Sequence, residues 1–115
     1  GVHTADWAES KAGRDFNMAM DRLRREIDAS GSHDRSARFV CCLCLAWPDR
    51  HTEAFTGKVE GSLVFPPRGT MGFGFDPVFI PRGFDQTFAE LDSATKHAIS
   101  HRADAFRKLV EACLR

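Results

Sequence analysis

Residues 66–77 form a glycine-rich and aromatic stretch, PPRGTMGFGFDP, whose residue types suit the binding of a flat ligand. Gly72 and Gly74 allow positive φ angles and let a ligand approach the backbone closely. Phe73 and Phe75 place two large apolar rings on a stretch where polar residues are usual. Taken alone, the same residues also fit a hairpin turn whose rings cover a core, because a glycine cluster is a weak signal.

Charged and titratable residues accompany this loop. Asp76 adds a carboxylate beside the two rings, and His101 and Arg102 follow Ser100 near the other end of the chain. Ser100 is predicted to cap a helix, so both side chains would lie at a helix start. Cations are disfavoured there by the helix dipole, but they are useful if an anion or a carbonyl group docks at that end. A solvated helix face is the alternative interpretation.

The bulk composition restricts the class of protein. At 115 residues, the chain is predicted to be one domain covering residues 1–115. Sixteen Lys and Arg residues balance sixteen Asp and Glu residues, so no global basic field would recruit nucleic acid or an anionic membrane. No apolar run approaches the ~20 residues of a membrane span, and no signal peptide is visible. These features favour a soluble cytoplasmic protein without a nucleic-acid or membrane partner.

The cysteines are predicted to be free and structural. Cys41, Cys42 and Cys44 lie within one apolar run, and strand alternation puts Cys41 on the opposite face from the other two. That arrangement suits neither a zinc site nor a disulfide. We therefore expect buried thiols that act as small hydrophobic side chains in a reducing compartment.

Periodicity predicts an α/β fold in which helices flank a mixed β-sheet. Residues 1–14 are predicted to be an irregular segment around Trp7, without a strand. Asp15 is expected to cap a helix that ends at residues 30–32 and carries an apolar stripe of Phe16, Met20, Leu23 and Ile27.

The rest of the chain is predicted to supply the sheet and a final helix. The apolar run Phe39–Trp47 is predicted to be a central strand covered on both faces, and Glu53–Phe65 the returning strand of a hairpin. A short strand at Pro77–Pro81 and a small helical segment at Thr87–Leu91 follow. The final helix is predicted to bury a stripe of Ile99, Ala103, Phe106, Leu109, Val110 and Cys113.

Three motifs together resemble a known family, the house-cleaning pyrophosphatases of noncanonical purine nucleoside triphosphates (inosine/xanthosine triphosphatases). The motifs are GFGFDP at 72–77, TFAEL at 87–91 and KHAISHR at 96–102. The family pattern runs G-F/H-G-Y-D-P, then F-A-E-L/M, then E-K-x-x-I-S-H-R at the same spacing. GVHTA at 1–5, Arg68-Gly69 and the strand at 39–47 are also similar, so the resemblance covers essentially the whole chain.

The resemblance implies a two-lobed fold, of which this chain supplies one lobe and part of the sheet. It also implies hydrolysis of inosine, deoxyinosine or xanthosine triphosphate to the monophosphate and pyrophosphate. The substrate-binding residues implied are Gly72, Phe73, Gly74, Phe75, Asp76, Lys96, His101 and Arg102. Phe73 would stack on the purine, Asp76 and the 72–74 backbone would contact the base edge, and the three cationic or titratable side chains would bind the base carbonyl or the phosphates.

The chain also departs from the family pattern. Phe75 stands where Tyr is usual, which removes a hydroxyl group, while Thr95 stands for Glu and Asp6 for Arg. The family's T-x-N-x-x-K phosphate loop, its metal-binding acidic residue and its D-D-S-G segment with the general base do not occur in these 115 residues. No catalytic or metal-binding residue is therefore predicted here, and the sequence reads as the C-terminal portion of a family member.

From the resemblance, Mg²⁺ is the expected cofactor, with its ligands mainly outside this chain, and a homodimer is the expected assembly. The alternative is a catalytically incomplete fragment that binds a purine nucleotide or another protein.

Overall fold

The structure, a computed structural model, describes residues 4–10 and 13–114. In order, the elements are a 3-10 helix (Thr4–Ala8), β1 (Glu9–Ser10), β2 (Gly13–Arg14), α1 (Phe16–Ser30), β3 (Ser36–Ala46), β4 (Thr52–Leu63), a 3-10 helix (Asp76–Val78), β5 (Phe79–Pro81), α2 (Ser93–Ile99) and α3 (His101–Cys113). Helices flank an antiparallel sheet, so the predicted α/β class is confirmed.

The N-terminal region is more regular than predicted. Instead of an irregular segment without a strand, residues 4–8 form a 3-10 helix and β1 pairs with β2, through Glu9 opposite Arg14. Trp7 is held by the guanidinium group of Arg22, whose Cζ lies 4.4 Å from the ring centroid. The family-like residues Gly1–His3 lie outside the described residues.

Helix α1 has the predicted boundaries and cap. The Asp15 side chain accepts hydrogen bonds from the N–H groups of Asn17, at 3.0 Å, and Met18, at 3.3 Å, and Gly31 ends the helix in the left-handed region. Met20, which belongs to the predicted apolar stripe, is buried, whereas Met18 lies on the exposed surface of the helix. The solvent face carries i,i+4 ion pairs such as Arg25 with Asp21 at 3.1 Å.

Strands β3 and β4 form the predicted hairpin, and β5 joins the other side of β4, giving the order β3-β4-β5. The prediction that β3 is a central strand covered on both faces was wrong. Within the described residues β3 pairs with β4 alone, and its side chains alternate between exposed and half-buried. Cys42 and Cys44 are consequently exposed rather than buried, although both are free as predicted.

The core lies on the inner face of the sheet. Phe79, Phe88 and Leu91 are buried there, and Phe39 of β3 packs on them, with its ring centroid 4.6 Å from that of Phe79. Phe88 is presented by residues 87–91, which form a single turn closed by hydrogen bonds to the Thr87 carbonyl, not the predicted helical segment. This turn therefore packs between the sheet and the glycine-rich loop.

Helices α2 and α3 meet at Ser100, which caps α3 as predicted by accepting the N–H of Ala103 at 3.2 Å. Helix α3 packs on the sheet through Ala105, which is fully buried, whereas Phe106 is 58% exposed. The predicted apolar stripe was wrong at Phe106, because the helix face that meets β4 is centred one residue earlier. No helix among the described residues is long and apolar enough to cross a membrane.

Candidate functional site

The glycine-rich loop leaves β4 at residue 64 and returns to the sheet at β5. Gly69, Gly72 and Gly74 all have positive φ angles, at 92°, 80° and 63°, as predicted for a loop that turns sharply. The sharp turns bring Phe75 back against α1, where its ring meets that of Phe16 edge-on with centroids 5.4 Å apart. One side of the loop is thereby fixed to a helix.

Asp76 ties the loop to α2. Its Oδ2 atom lies 2.5 Å from Lys96 Nζ and accepts the backbone N–H of Phe73 at 3.0 Å. Both side chains are largely buried, with 8% of Asp76 and 13% of Lys96 exposed. Buried charges are tolerated when they are paired in this way, so the pair fixes the Lys96 ammonium group in one position. A side chain at Gly72 would overlap Asp76 Oδ2, which explains the glycine there.

Phe73 is a largely exposed ring beside two cations. Lys96 Nζ lies 4.6 Å and Arg102 Cζ lies 4.9 Å from its ring centroid, both within cation–π range. The ring itself remains 62% exposed. A planar ligand that contacts Phe73 would therefore lie near two cationic hydrogen-bond donors.

His101 lies behind this ring, at the start of α3. Its imidazole packs against Phe39 with centroids 5.3 Å apart. Its Nδ1 atom is buried and has no hydrogen-bond partner among the described residues. Burial lowers the pKa of His101, and the charges of Arg102 and Lys96 lower it further, against an opposing effect of Asp76. The neutral imidazole is therefore favoured at neutral pH.

These groups surround a cavity of about 330 Å³. Its lining residues are Phe16, Phe39, Phe73, Gly74, Phe75, Asp76, Lys96, His97, Ser100, His101 and Arg102. The structure thus brings together the residues that the sequence singled out, with Gly72 contributing behind Asp76. It adds four that sequence reasoning missed. Phe16 and Phe39 belong to apolar patterns that indicate only core, while His97 and Ser100 lie inside the KHAISHR motif and could have been found there.

The cavity contains groups that can stack and form hydrogen bonds. It combines a largely exposed aromatic ring, one cation held by an ion pair (Lys96), a second, exposed cation (Arg102), a neutral imidazole and a buried carboxylate. Such a set could bind a planar ring with carbonyl and N–H groups at its edge. Among the described residues, no group of three His, Cys, Asp or Glu side chains could hold a metal ion.

Fold and site together define an α/β lobe with an aromatic and cationic pocket at the junction of two helices and a glycine-rich loop. Comparison with known proteins supplies the family. The Ham1 family profile matches residues 1–112, and the chain belongs to that family.

Close relatives carry a functional name. The chain is 55% identical over 126 residues to the dITP/XTP pyrophosphatase of Agrobacterium fabrum (strain C58 / ATCC 33970), covering 99% of this chain and 59% of the relative. It is 58% identical over 115 residues to the dITP/XTP pyrophosphatase of Rhodospirillum centenum, covering 98% of this chain and 55% of the relative. The resemblance seen in the motifs is thus confirmed.

Solved structures agree with the fold. A HAM1 protein from Coxiella burnetii superposes with a TM-score of 0.89 at 32% identity, covering 99% of this chain and 58% of that one. The Staphylococcus aureus Ham1 protein gives 0.85 at 32% identity, covering 99% and 57%. The chain therefore spans less than two thirds of the length of these relatives.

Proposed function

We propose that the protein hydrolyses noncanonical purine nucleoside triphosphates, such as ITP, dITP and XTP, to the monophosphate and pyrophosphate. In this proposal the 115 residues supply the pocket that recognises the nucleobase. The observation that carries the proposal is the position of Lys96 and Arg102 beside the open Phe73 ring. The names of the close relatives support the reaction class.

The pocket chemistry accounts for selection against adenine. Hypoxanthine and xanthine present a carbonyl acceptor at C6 and an N–H beside it, whereas adenine presents an amino donor at C6. A base stacked on Phe73 would accept a hydrogen bond from Arg102 or Lys96 at C6. Asp76 uses Oδ2 for Lys96 and for the Phe73 N–H, and we assign Oδ1 to the N–H of the base. An adenine would present its amino donor to these cationic donors in place of an acceptor, and a hydrogen bond lost in this way costs about 1–3 kcal/mol.

The proposal also includes Mg²⁺ as cofactor, a homodimer as the assembly and the cytoplasm as the location. The described residues hold no cluster suited to a metal ion, so we derive no step through the ion from this chain. Its known chemistry in such reactions is neutralisation of phosphate charge. Here the residues of this chain bind and orient the base.

The sharpest test is a substitution of Arg102. It is made in the protein that the gene encodes, called the encoded protein below. Arg102→Ala should lower kcat/KM for ITP about tenfold or more, because a hydrogen bond to a charged group is lost. The slower ATP reaction should change little, since adenine offers no acceptor at C6. Pyrophosphate release with each nucleotide measures both values.

The matched control is Arg107→Ala, which removes an exposed arginine from the same helix, where it pairs with Asp104 at 3.3 Å. It should leave both reactions unchanged. Equal losses for ITP and ATP with Arg102→Ala would assign Arg102 to the phosphates instead. Absence of pyrophosphate release from any purine triphosphate by the unaltered protein would favour the alternative, a fragment that binds nucleotides without hydrolysing them.

A further inference from the structure

A set of hydrogen bonds outside the cavity joins residues 68–71 of the glycine-rich loop to the turn at 85–91. Arg68 donates from a guanidinium nitrogen to the Asp85 carbonyl at 2.8 Å, and its own carbonyl accepts the Thr87 hydroxyl at 2.8 Å. The N–H of Met71 donates to the Ala89 carbonyl at 3.0 Å. We call residues 68–71 and 85–91, with the bonds between them, the brace.

Glu90 contacts both parts of the brace. A single oxygen, Oε1, accepts the backbone N–H of Thr87 at 2.9 Å and lies 3.2 Å from Nε of Arg68. The Glu90 side chain is 29% exposed and that of Arg68 is 41% exposed, so the pair is only partly screened by water. One carboxylate therefore holds its own turn and the loop at the same time.

The brace is tightly packed as well as bonded. Thr87 is fully buried, and Phe88 and Ala89 are each 1% exposed. Gly69 lies so close to the Ala89 backbone that a side chain at position 69 would overlap it. The turn is thus anchored in the core and offers the loop a fixed surface.

The brace ends where the pocket begins. Met71, the last braced loop residue, directly precedes Gly72 and Phe73, and the Phe88 ring lies 5.9 Å from Lys96 Nζ. Neither Arg68, Thr87 nor Glu90 lines the cavity. Any effect of these residues on base recognition must therefore be indirect, through the positions of the groups that do line the cavity.

We infer that Arg68 and Glu90 are positioning residues for base selection, because their pairing fixes where the Phe73 ring and its backbone stand relative to Lys96 and Arg102. This inference rests on the proposed function. Displacement of a recognition group by a fraction of an ångström weakens hydrogen bonds that depend on geometry, while leaving contacts to the phosphates intact. Loss of the brace should thus reduce discrimination between bases more than overall turnover.

The test uses Glu90→Ala and Glu90→Gln in the encoded protein. Glu90→Ala should lower the ratio of kcat/KM for ITP to that for ATP by about fivefold or more, mostly through a higher KM for ITP. Glu90→Gln keeps an oxygen acceptor but loses the charge that binds Arg68, so its effect should be smaller, about twofold. The effect of the double variant Arg68→Ala/Glu90→Ala should be smaller than the sum of the two single effects, because each single change already breaks the Arg68–Glu90 pairing.

Glu60→Ala is the matched control, since Glu60 forms a similar exposed pair with Arg82 at 2.9 Å, away from the loop. It should leave the ITP to ATP ratio unchanged. The positioning role is wrong if Glu90→Ala lowers kcat/KM for ITP and for ATP by the same factor. It is also wrong if Glu90→Ala, like the control Glu60→Ala, changes neither value. If Glu90→Ala does not yield folded protein, the ITP to ATP ratio is measured with Glu90→Gln instead.

Amide hydrogen exchange separates this inference from the proposed function. Glu90→Ala should speed exchange at Met71 and Phe73, whose N–H groups bond to Ala89 and Asp76, by about tenfold or more, and Glu60→Ala should not. This result is independent of hydrolysis. If the unaltered protein hydrolyses no purine triphosphate, the proposed function fails, and exchange alone decides whether the brace holds the loop.

Discussion

At the scale of single residues, the ion pair of Asp76 and Lys96 matters more for where it holds the ammonium group than for the stability it adds. Removing two charges from water is costly, and a buried pair often contributes little net stability compared with apolar residues of the same volume. Their 2.5 Å contact nevertheless fixes the ammonium group 4.6 Å from the Phe73 ring centroid and secures the Phe73 N–H. The pair therefore gives the pocket a pre-organised donor, which lowers the entropy cost of binding.

The burial of His101 predicts that the stability of the protein depends on pH. Its pKa is lowered in the folded state from its ordinary value of 6.5, first by burial and then by Arg102. The unfolded chain therefore binds a proton at a pH where the folded chain does not. Since stability rises with pH wherever the unfolded state binds more protons, this contribution is present above 6.5 and is lost as the pH falls below it.

We predict that His101→Gln flattens this dependence. The free energy of unfolding of the encoded protein, measured with urea between about pH 5 and pH 7, should fall less steeply towards low pH in the variant. His33→Gln, which replaces an exposed histidine ahead of β3, should keep the slope of the unaltered protein. An unchanged slope in His101→Gln would mean that another group carries the pH dependence.

Residue types near the site were predictable, but their pairing was not. The GFGFDP and KHAISHR motifs gave the residues, yet nothing local shows that Asp76 bonds to Lys96, which lies 20 residues further along the chain. Phe16 and Phe39 reach the cavity from a helix and a strand whose patterns indicate only burial. Such contacts depend on how elements pack, which a short sequence pattern does not encode.

At the scale of elements, the position of α3 on β4 decides where His101 and Arg102 stand. Lys108 Nζ donates to the Thr56 carbonyl at 2.8 Å, and Asp104 Oδ2 accepts the Lys58 N–H at 3.1 Å. Between these bonds, Gly57 lets the helix backbone touch the strand. A Cβ at Gly57 would overlap the Ala105 nitrogen and the His101 carbonyl oxygen, both of which are backbone atoms.

We predict that Gly57→Ala destabilises the encoded protein by about 3 kcal/mol, at the upper end for overpacking, because backbone atoms cannot rotate away. Urea denaturation measures the change, and the displaced helix should also weaken ITP binding. Ala54→Val adds bulk to the exposed face of the same strand and should cost under about 0.5 kcal/mol. A cost for Gly57→Ala as small as that of the control would show that the helix is not held at this contact.

Helices and strands whose caps, ends and apolar periodicity are all visible in the local sequence were predicted well. Asp15, the apolar stripe behind it and Gly31 defined α1, and alternation defined the returning strand β4. The run Phe39–Trp47 was misjudged, because apolar residues on both faces indicate burial but do not say what covers each face. In the described residues the helices cover one face, and Val40 on the other is 55% exposed.

At the scale of the whole molecule, the proposed function divides into recognition of the base and hydrolysis of the phosphate chain. Among the described residues that line the cavity, Asp76 is the one carboxylate, and it is already bonded to Lys96 and to the Phe73 N–H. That carboxylate therefore holds Lys96 and the loop backbone in place. In the proposed function, the residues of this chain hold the base while other groups act on the phosphates.

We therefore predict that the 115 residues alone release pyrophosphate from ITP at less than about one thousandth of the rate of a suitable chimera, because positioning and charge stabilisation of the phosphates supply factors of that size. In the chimera, this chain replaces the matching residues of the Agrobacterium fabrum dITP/XTP pyrophosphatase, with which it shares 55% identity. Pyrophosphate release with Mg²⁺ present measures both rates, and calorimetry with ITP measures binding. The Arg102→Ala chimera should lose selectivity for ITP over ATP. Turnover by the 115 residues close to that of the chimera would contradict the division of tasks and would place a general base within this chain.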